Sequence, residues 1–180
     1  MSIPRPLPSQ LSTYHQQLIT VLPEQYLSES GAANIMDLLV AQQTSGPDFV
    51  KSIPADRLDI VHEGYGWSVR QVIEHLLDAE RVFGYRILRF ASGDLVDLPG
   101  WDENHYASCG YCEPVDVGAM ADEFTGLRSA NLNLLRRLSG SVVCNAGTAD
   151  GNPFSVNSIA YVMAAHWVHH EQILQKRLAG

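Results

Sequence analysis

The fold is decided first by Ile159-Ala-Tyr-Val-Met-Ala-Ala-His-Trp-Val-His-His170, near the C-terminus. Its apolar residues recur at the three- and four-residue spacing of a buried helix face, and His166 and His170 continue that face. Side chains four apart lie on the same side of a helix, so both imidazoles can reach one ion. A single histidine on an apolar face is more often a packed core residue, but two buried imidazoles without partners would be costly.

A second stretch, Ser68-Val-Arg-Gln-Val-Ile-Glu-His-Leu-Leu-Asp-Ala-Glu80, also has helical periodicity. Ser68 and Gln71 form the capping-box pattern that begins a helix. His75 lies on the core-facing side of this helix. If the two helices pack together, three imidazoles converge and leave at least one coordination position open, which is typical of catalytic rather than structural metal sites.

Elsewhere the pattern predicts helices over Ala32–Gln43, Val117–Leu138 and Ser155–Leu178, and it continues the helix after Ser68 to about Phe90. Gly46-Pro47 should kink or interrupt the first of these before Phe49–Ile53. Residues 1–10 are predicted to be an extended tail, 11–22 a short amphipathic piece, and 95–114 irregular. Alternating Val and Thr clusters are absent. We therefore expect an all-α four-helix bundle formed by one domain, residues 11–180, with a short extra N-terminal segment.

Composition narrows the classes of partner. The chain has 180 residues and a net charge of −8, with only 12 basic residues. Nucleic-acid and anionic-membrane binding depend on clustered Lys and Arg, so neither is expected. The N-terminal sequence lacks the long apolar stretch of a secretory signal, and three cysteines are too few for a disulfide framework. The expected location is the cytoplasm.

Three pieces of the sequence resemble those of the DinB-like metal-binding four-helix bundles. They are the stretch from Gly66 to Arg86, the following Leu98-Pro-Gly-Trp-Asp102, and Ala165-His-Trp-Val-His-His170. Each piece is weak alone, but their order and spacing together are specific, and the resemblance extends over about residues 32–178. It implies an unusual helix order with a long crossover, and frequent homodimers.

The resemblance also implies a site. In that family a histidine of the second helix and an H-x-x-x-H pair on the last helix hold a divalent metal, and the matching positions are His75, His166 and His170. Imidazoles suit Zn, Ni, Fe, Cu or Mn to different degrees, and the spacing does not choose among them. His169 is about 100° around the helix from His170 and is expected to be a partly exposed or interface residue.

Relatives in the family suggest three functions. The first is a hydrolase that acts on a small molecule through water bound to one divalent transition metal. The second is a thiol transferase or isomerase that uses a low-molecular-weight thiol. The third is a protein that binds a metal or small molecule without turnover. A carboxylate close to the metal favours an enzyme, whereas a dry, closed, apolar cavity favours the third function.

Candidate catalytic carboxylates are Asp78, Asp102 and Glu103, of which Asp78 could instead orient an imidazole. The order His166-Trp167 excludes the H-E-x-x-H protease pattern, which needs Glu directly after the first His. Arg86 is a candidate for binding an anionic substrate. Glu80 and Arg81 are expected to be structural and to tie the helix to a loop.

Cys109-x-x-Cys112 lies in a predicted loop near His105. A redox dithiol is expected at a helix N-terminus after a strand, and a structural zinc site needs a fourth ligand. Neither requirement is met by the sequence, so both roles are disfavoured.

Overall fold

Four long helices form the body of the protein in a computed structural model, which describes residues 2–28 and 33–180. They are α3 (Ile35–Lys51), α4 (Val69–Ala91), α6 (Val117–Arg137) and α7 (Val156–Ala179). Shorter helices are α1 (Thr13–Leu18), α2 (Glu24–Leu27) and α5 (Glu103–Cys109). The all-α four-helix bundle expected from the sequence is therefore confirmed.

The order of the long helices around the bundle differs from their order along the chain. α3 packs on α6 and α7, and α4 packs on the same two helices. Helices that follow each other in the chain, α3 and α4 or α6 and α7, therefore lie across the bundle from one another. Such an arrangement needs long crossovers rather than tight turns. Residues 52–68, between α3 and α4, and residues 138–155, between α6 and α7, make these two crossings. Residues 92–116 connect α4 with α6, which pack on each other, and contain α5.

Short elements fill the remaining connections. Pro8–Gln10, Ile19–Val21, Ala55–Arg57 and Val142–Cys144 are 3-10 helices. Strands β1 (Ala146–Ala149) and β2 (Asn152–Ser155) form an antiparallel hairpin directly before α7. Its turn is Asp150-Gly151, and both residues have positive φ, as a tight two-residue hairpin turn requires. The strands that flank this turn were not predicted from the sequence.

Helix bounds differ from the predictions in two places. α3 begins at Ile35, and Ala32, where the helix was predicted to begin, lies outside the described residues. Of the kink or interruption predicted at Gly46-Pro47, the interruption is wrong, because α3 runs through Pro47 to Lys51. Pro47 removes only one backbone hydrogen bond, and its neighbour Gly46 lets the helix approach the rings of Trp167 and Phe124 closely. This packing compensates for the missing bond.

The segment predicted to be irregular contains α5. Asp102 begins this helix, its Oδ1 accepting from the backbone N of His105 at 3.0 Å, and Gly110 ends it with a φ of 59°. Both signals are present in the sequence. The helix has only seven residues and no buried ones, so it lacks the apolar period on which the prediction relied.

The N-terminal residues pack against the bundle. Residues 2–7 have no regular secondary structure, but Ile3 is only 2% exposed and Leu11 only 3%. Both belong to the apolar core that also includes the N-terminal half of α7 and residues of the other three long helices. In the described part of the chain, none of the helices combines the length and apolar character that crossing a bilayer requires.

A buried polar network connects all four long helices. Arg128 of α6 is 0% exposed and donates to the carboxylate of Glu80 of α4 at 2.6 Å and to Oε1 of Gln42 of α3 at 2.8 Å. Gln42 in turn donates to the backbone O of Ala164 of α7 at 3.0 Å. Glu80 also accepts from Asn131 Nδ2 at 3.0 Å. The network therefore fixes α4 and α7 relative to each other close to the histidines that they carry.

Arg81 has a different partner from the one expected. Glu80 and Arg81 were predicted to tie α4 to a loop, but both pair with α6: Glu80 with Arg128, and Arg81 with Glu123. The structural role is therefore retained, but it joins two helices.

Candidate metal centre

Three histidines from two helices converge at the candidate metal centre. One ligand nitrogen from each of His75, His166 and His170 lies within 4.8 Å of the other two. The Nε2 atoms of His75 and His166 are 2.9 Å apart. Two lone pairs at this distance would repel, so either one nitrogen carries a proton or both face a cation. The structure thus brings together the three residues predicted as metal ligands.

Aromatic rings hold His75 in place. The Trp101 ring stacks on the imidazole with centroids 5.3 Å apart and planes 6° apart, and Trp67 contacts it at 5.0 Å. Trp67 directly precedes the cap of α4, and Trp101 lies in the segment between α4 and α5. Neither ring had a role predicted from the sequence, although both lie within the stretches that carry the family resemblance.

Burial keeps the three histidines neutral. Desolvation, with a smaller contribution from neighbouring histidines, lowers the pKa of His75 to about 4 and that of His170 to about 3. The same causes lower the pKa of His166 well below its ordinary value. A metal binds only the neutral imidazole, so the site is already in the protonation state that a metal needs at neutral pH.

The hydrogen bonding of the rings also fits a cation. Nδ1 of His75 and Nδ1 of His170 are buried and have no hydrogen-bond partner among residues 2–28 and 33–180. A buried polar atom without a partner costs about 1–3 kcal/mol. The three neutral imidazoles thus leave two of their ring nitrogens without hydrogen-bond partners. They are a suitable set of ligands for a divalent transition metal.

The centre lies at the wall of a cavity of about 620 Å³. The cavity is bounded by α4 and α7, which carry the three histidines, by α1, by the start of α5 and by the hairpin turn. Its polar lining includes His15, Arg86, Glu103 and Asp150, and its apolar lining includes Phe83 and Phe154. It is therefore neither fully apolar nor confined to the three histidines.

The predicted carboxylates lie in different places. Glu103 lines the cavity, and its charge contributes, after burial, to a raised pKa of Tyr14. Asp102 is exposed and caps α5. Asp78 is buried, accepts a hydrogen bond from the Tyr111 hydroxyl at 2.5 Å, and does not bond to His75. Burial raises the pKa of Asp78. Catalytic roles for Asp78 and Asp102 stay predictions.

The remaining candidates are also located. Arg86 is 7% exposed and lines the cavity. His169 is half-buried at the edge of the same cavity, with its ring 5.0 Å from that of His170. Cys109 and Cys112 are exposed free thiols, and neither lines the cavity. His15 and Asp150 had no signal in the sequence that distinguished them from surface residues.

A helical bundle with three histidines from two facing helices defines a class of proteins with a candidate metal site in the bundle. The sequence profile of the DinB superfamily matches residues 39–174, and the chain belongs to that superfamily. No curated protein matches the sequence.

A solved structure with a similar fold is that of YfiT from Bacillus subtilis. It is described as a probable metal-dependent hydrolase with an unusual four-helix bundle topology. The two chains are 19% identical, with a TM-score of 0.63 over 97% of this chain and 93% of YfiT. At this identity the likeness establishes the fold.

Proposed function

We propose that the protein is a metal-dependent hydrolase that acts on a small molecule, with His75, His166 and His170 as the metal ligands. The observation that carries the proposal is the convergence of three neutral imidazoles, one buried and two half-buried, at the wall of a cavity large enough for a small substrate. The activity attributed to YfiT, which shares the fold, gives further support. One divalent metal, when bound, would supply a Lewis acid that lowers the pKa of water.

The chain's own residues have distinct roles in this proposal. Trp67 and Trp101 orient His75, and the buried network around Arg128 fixes the helices that carry the ligands. Glu103 is the predicted carboxylate that lines the cavity, so it is the preferred proton acceptor for attack by water. The charged residues that line the cavity, Arg86, Glu103 and Asp150, also favour an enzyme over a protein that only binds a ligand in a dry, apolar cavity.

Replacing Glu103 with glutamine should lower hydrolysis by about 100-fold or more, which is the usual contribution of a general base. Metal content should not change, because Glu103 is not a ligand in this proposal. The measurement is hydrolysis of p-nitrophenyl acetate and p-nitrophenyl phosphate by metal-loaded and chelated protein. Asp102→Asn is the comparison, because Asp102 is exposed, caps α5 and does not line the cavity. A larger loss in Asp102→Asn than in Glu103→Gln would assign the base to Asp102 instead. Thiol transfer without hydrolysis by the metal-loaded protein would contradict the proposal and favour the thiol-dependent alternative.

The stability of the chelated protein should fall as the pH falls below 6.5. In the unfolded chain the histidines take up protons near pH 6.5, whereas in the folded chain His75 and His170 remain neutral down to about pH 4 and about pH 3. The stability contributed by these groups is therefore full above pH 6.5 and is lost as the pH falls toward 4. Added divalent metal should stabilise the protein at neutral pH, because it binds the folded state.

Urea unfolding with and without chelator across this pH range tests that expectation. The control is a His166→Asn, His170→Asn variant, whose stability should change less with pH and should not respond to metal. Unfolded chelated protein at neutral pH would make the site structural, and no stabilisation by any divalent metal would argue against the metal site.

Cytoplasmic location, a homodimeric state and the lack of nucleic-acid binding stay predictions.

A further inference from the structure

Within residues 2–28 and 33–180, Arg86 is the buried arginine whose side chain has no hydrogen-bond or ion-pair partner. Three of the described arginines are buried: Arg86, Arg128 and Arg177. Arg128 donates to Glu80 and Gln42, and Arg177 donates to the backbone oxygens of Ile60 and Trp67. Arg86 makes no hydrogen bond or ion pair with the described residues. Its guanidinium lies over the Phe154 ring, 5.6 Å from the centroid. Five donors are therefore left without protein acceptors at a cavity wall.

The carboxylate of Asp150 influences Arg86 without contacting it. Asp150, in the hairpin turn, favours the charged form of Arg86 through space and opposes the larger effect of burial, which lowers the pKa of Arg86. No oxygen of Asp150 is close enough to a guanidinium nitrogen of Arg86 to form an ion pair. The Asp150 side chain instead packs against the backbone at Gly100, where a Cβ atom would collide with it. The guanidinium is thus charged, largely buried and available to a ligand in the cavity.

A second donor faces the same region. The ring of His15 packs on Phe154 with centroids 4.8 Å apart, so His15 and Arg86 contact the same phenyl ring. The Ser12 hydroxyl lies 2.6 Å from Nδ1 of His15. Burial, followed by the charge of Arg86, lowers the pKa of His15 to about 4, so the ring is neutral. In the tautomer in which Nδ1 accepts from the Ser12 hydroxyl, the neutral ring carries its proton on Nε2 and can donate there.

We propose that Arg86 and His15 form an oxyanion-binding site in the cavity, distinct from the three histidines of the metal centre. It takes a carboxylate or phosphate group, which a planar guanidinium binds with two parallel hydrogen bonds. That this group belongs to the substrate rests on the proposed function. The substrate would then be a small anionic molecule, anchored at Arg86 and hydrolysed at its other end.

Titration of chelated protein with acetate, inorganic phosphate and the neutral control acetamide tests the site. The NMR signals of the arginine side-chain Nε–H groups report binding directly. We expect acetate or phosphate to bind with a Kd on the order of 1 mM, and acetamide not to bind. The tighter of the two anions identifies the chemical group. Arg86→Gln should weaken binding by about tenfold or more, and Arg86→Lys by less, since it keeps the charge.

Arg89→Gln is the matched control, because Arg89 lies one turn further along α4, is paired with Asp94 and does not line the cavity. It should leave anion binding unchanged. Anion binding that is absent, or that persists in the Arg86→Gln variant with a native circular dichroism spectrum, would overturn the inference. Because the protein is chelated, the result does not depend on metal. Anion binding without metal-dependent hydrolysis would contradict the proposed function and leave this site in place.

Discussion

His166→Ala and His170→Ala should each weaken metal binding by more than about 100-fold, and His75→Ala should do the same. Loss of a residue that merely supports a ligand already costs about 10–100-fold in metal affinity, so loss of one of three ligands should cost more. Competition with a chromophoric chelator, followed by elemental analysis of protein purified without a histidine tag, measures the effect.

The control for this experiment is His169→Ala. His169 lines the same cavity and its ring lies beside that of His170, but it is not part of the cluster of converging nitrogens. The variant should keep its metal. If His169→Ala lost the metal while His170→Ala retained it, the assignment of ligands on α7 would be wrong.

Arg128→Met should lower the free energy of unfolding by about 3–5 kcal/mol, the usual cost of leaving one member of a buried ion pair without its partner. Arg128 and Glu80 have side chains only 0% and 4% exposed, and Arg128 also donates to Gln42 of α3. The variant therefore leaves Glu80 as a buried carboxylate between helices. Urea unfolding monitored by circular dichroism gives the change.

Arg81→Gln provides the comparison, because Arg81 pairs with Glu123 across the same two helices but with both side chains exposed by 39% or more. Exposed pairs contribute about 1 kcal/mol or less. A double variant, Glu80→Leu with Arg128→Met, should recover part of the lost stability since no buried charge remains. Equal effects of Arg81→Gln and Arg128→Met would contradict the role given to the buried network.

Much of the bundle could be predicted from local sequence. α4 and α7 have a serine cap and long apolar periodicity, and both features survive in the structure because they are settled within a few residues of each other. The convergence of His75 with His166 and His170 could be predicted because the i, i+4 pair fixes a helix face and the family resemblance supplies the third position. Local signals thus sufficed for the four-helix body.

Other features depend on contacts between distant segments. α3 continues through Pro47 because Gly46 packs against Trp167, which is 121 residues away in the chain. The stacking of Trp101 on His75 depends on the path of the segment between α4 and α5. His15 reaches the cavity only because α1 packs on α7 and the hairpin positions Phe154 beneath it. None of these contacts has a periodic or short-range signal.

The most direct test of the account is an anomalous diffraction experiment on crystals of the metal-loaded protein. We predict an anomalous peak that lies about 2.0–2.3 Å from one nitrogen each of His75, His166 and His170, with room for a further ligand on the cavity side. A peak at His105, Cys109 or Cys112 instead, with none at the three histidines, would contradict the central claim that these histidines hold the metal.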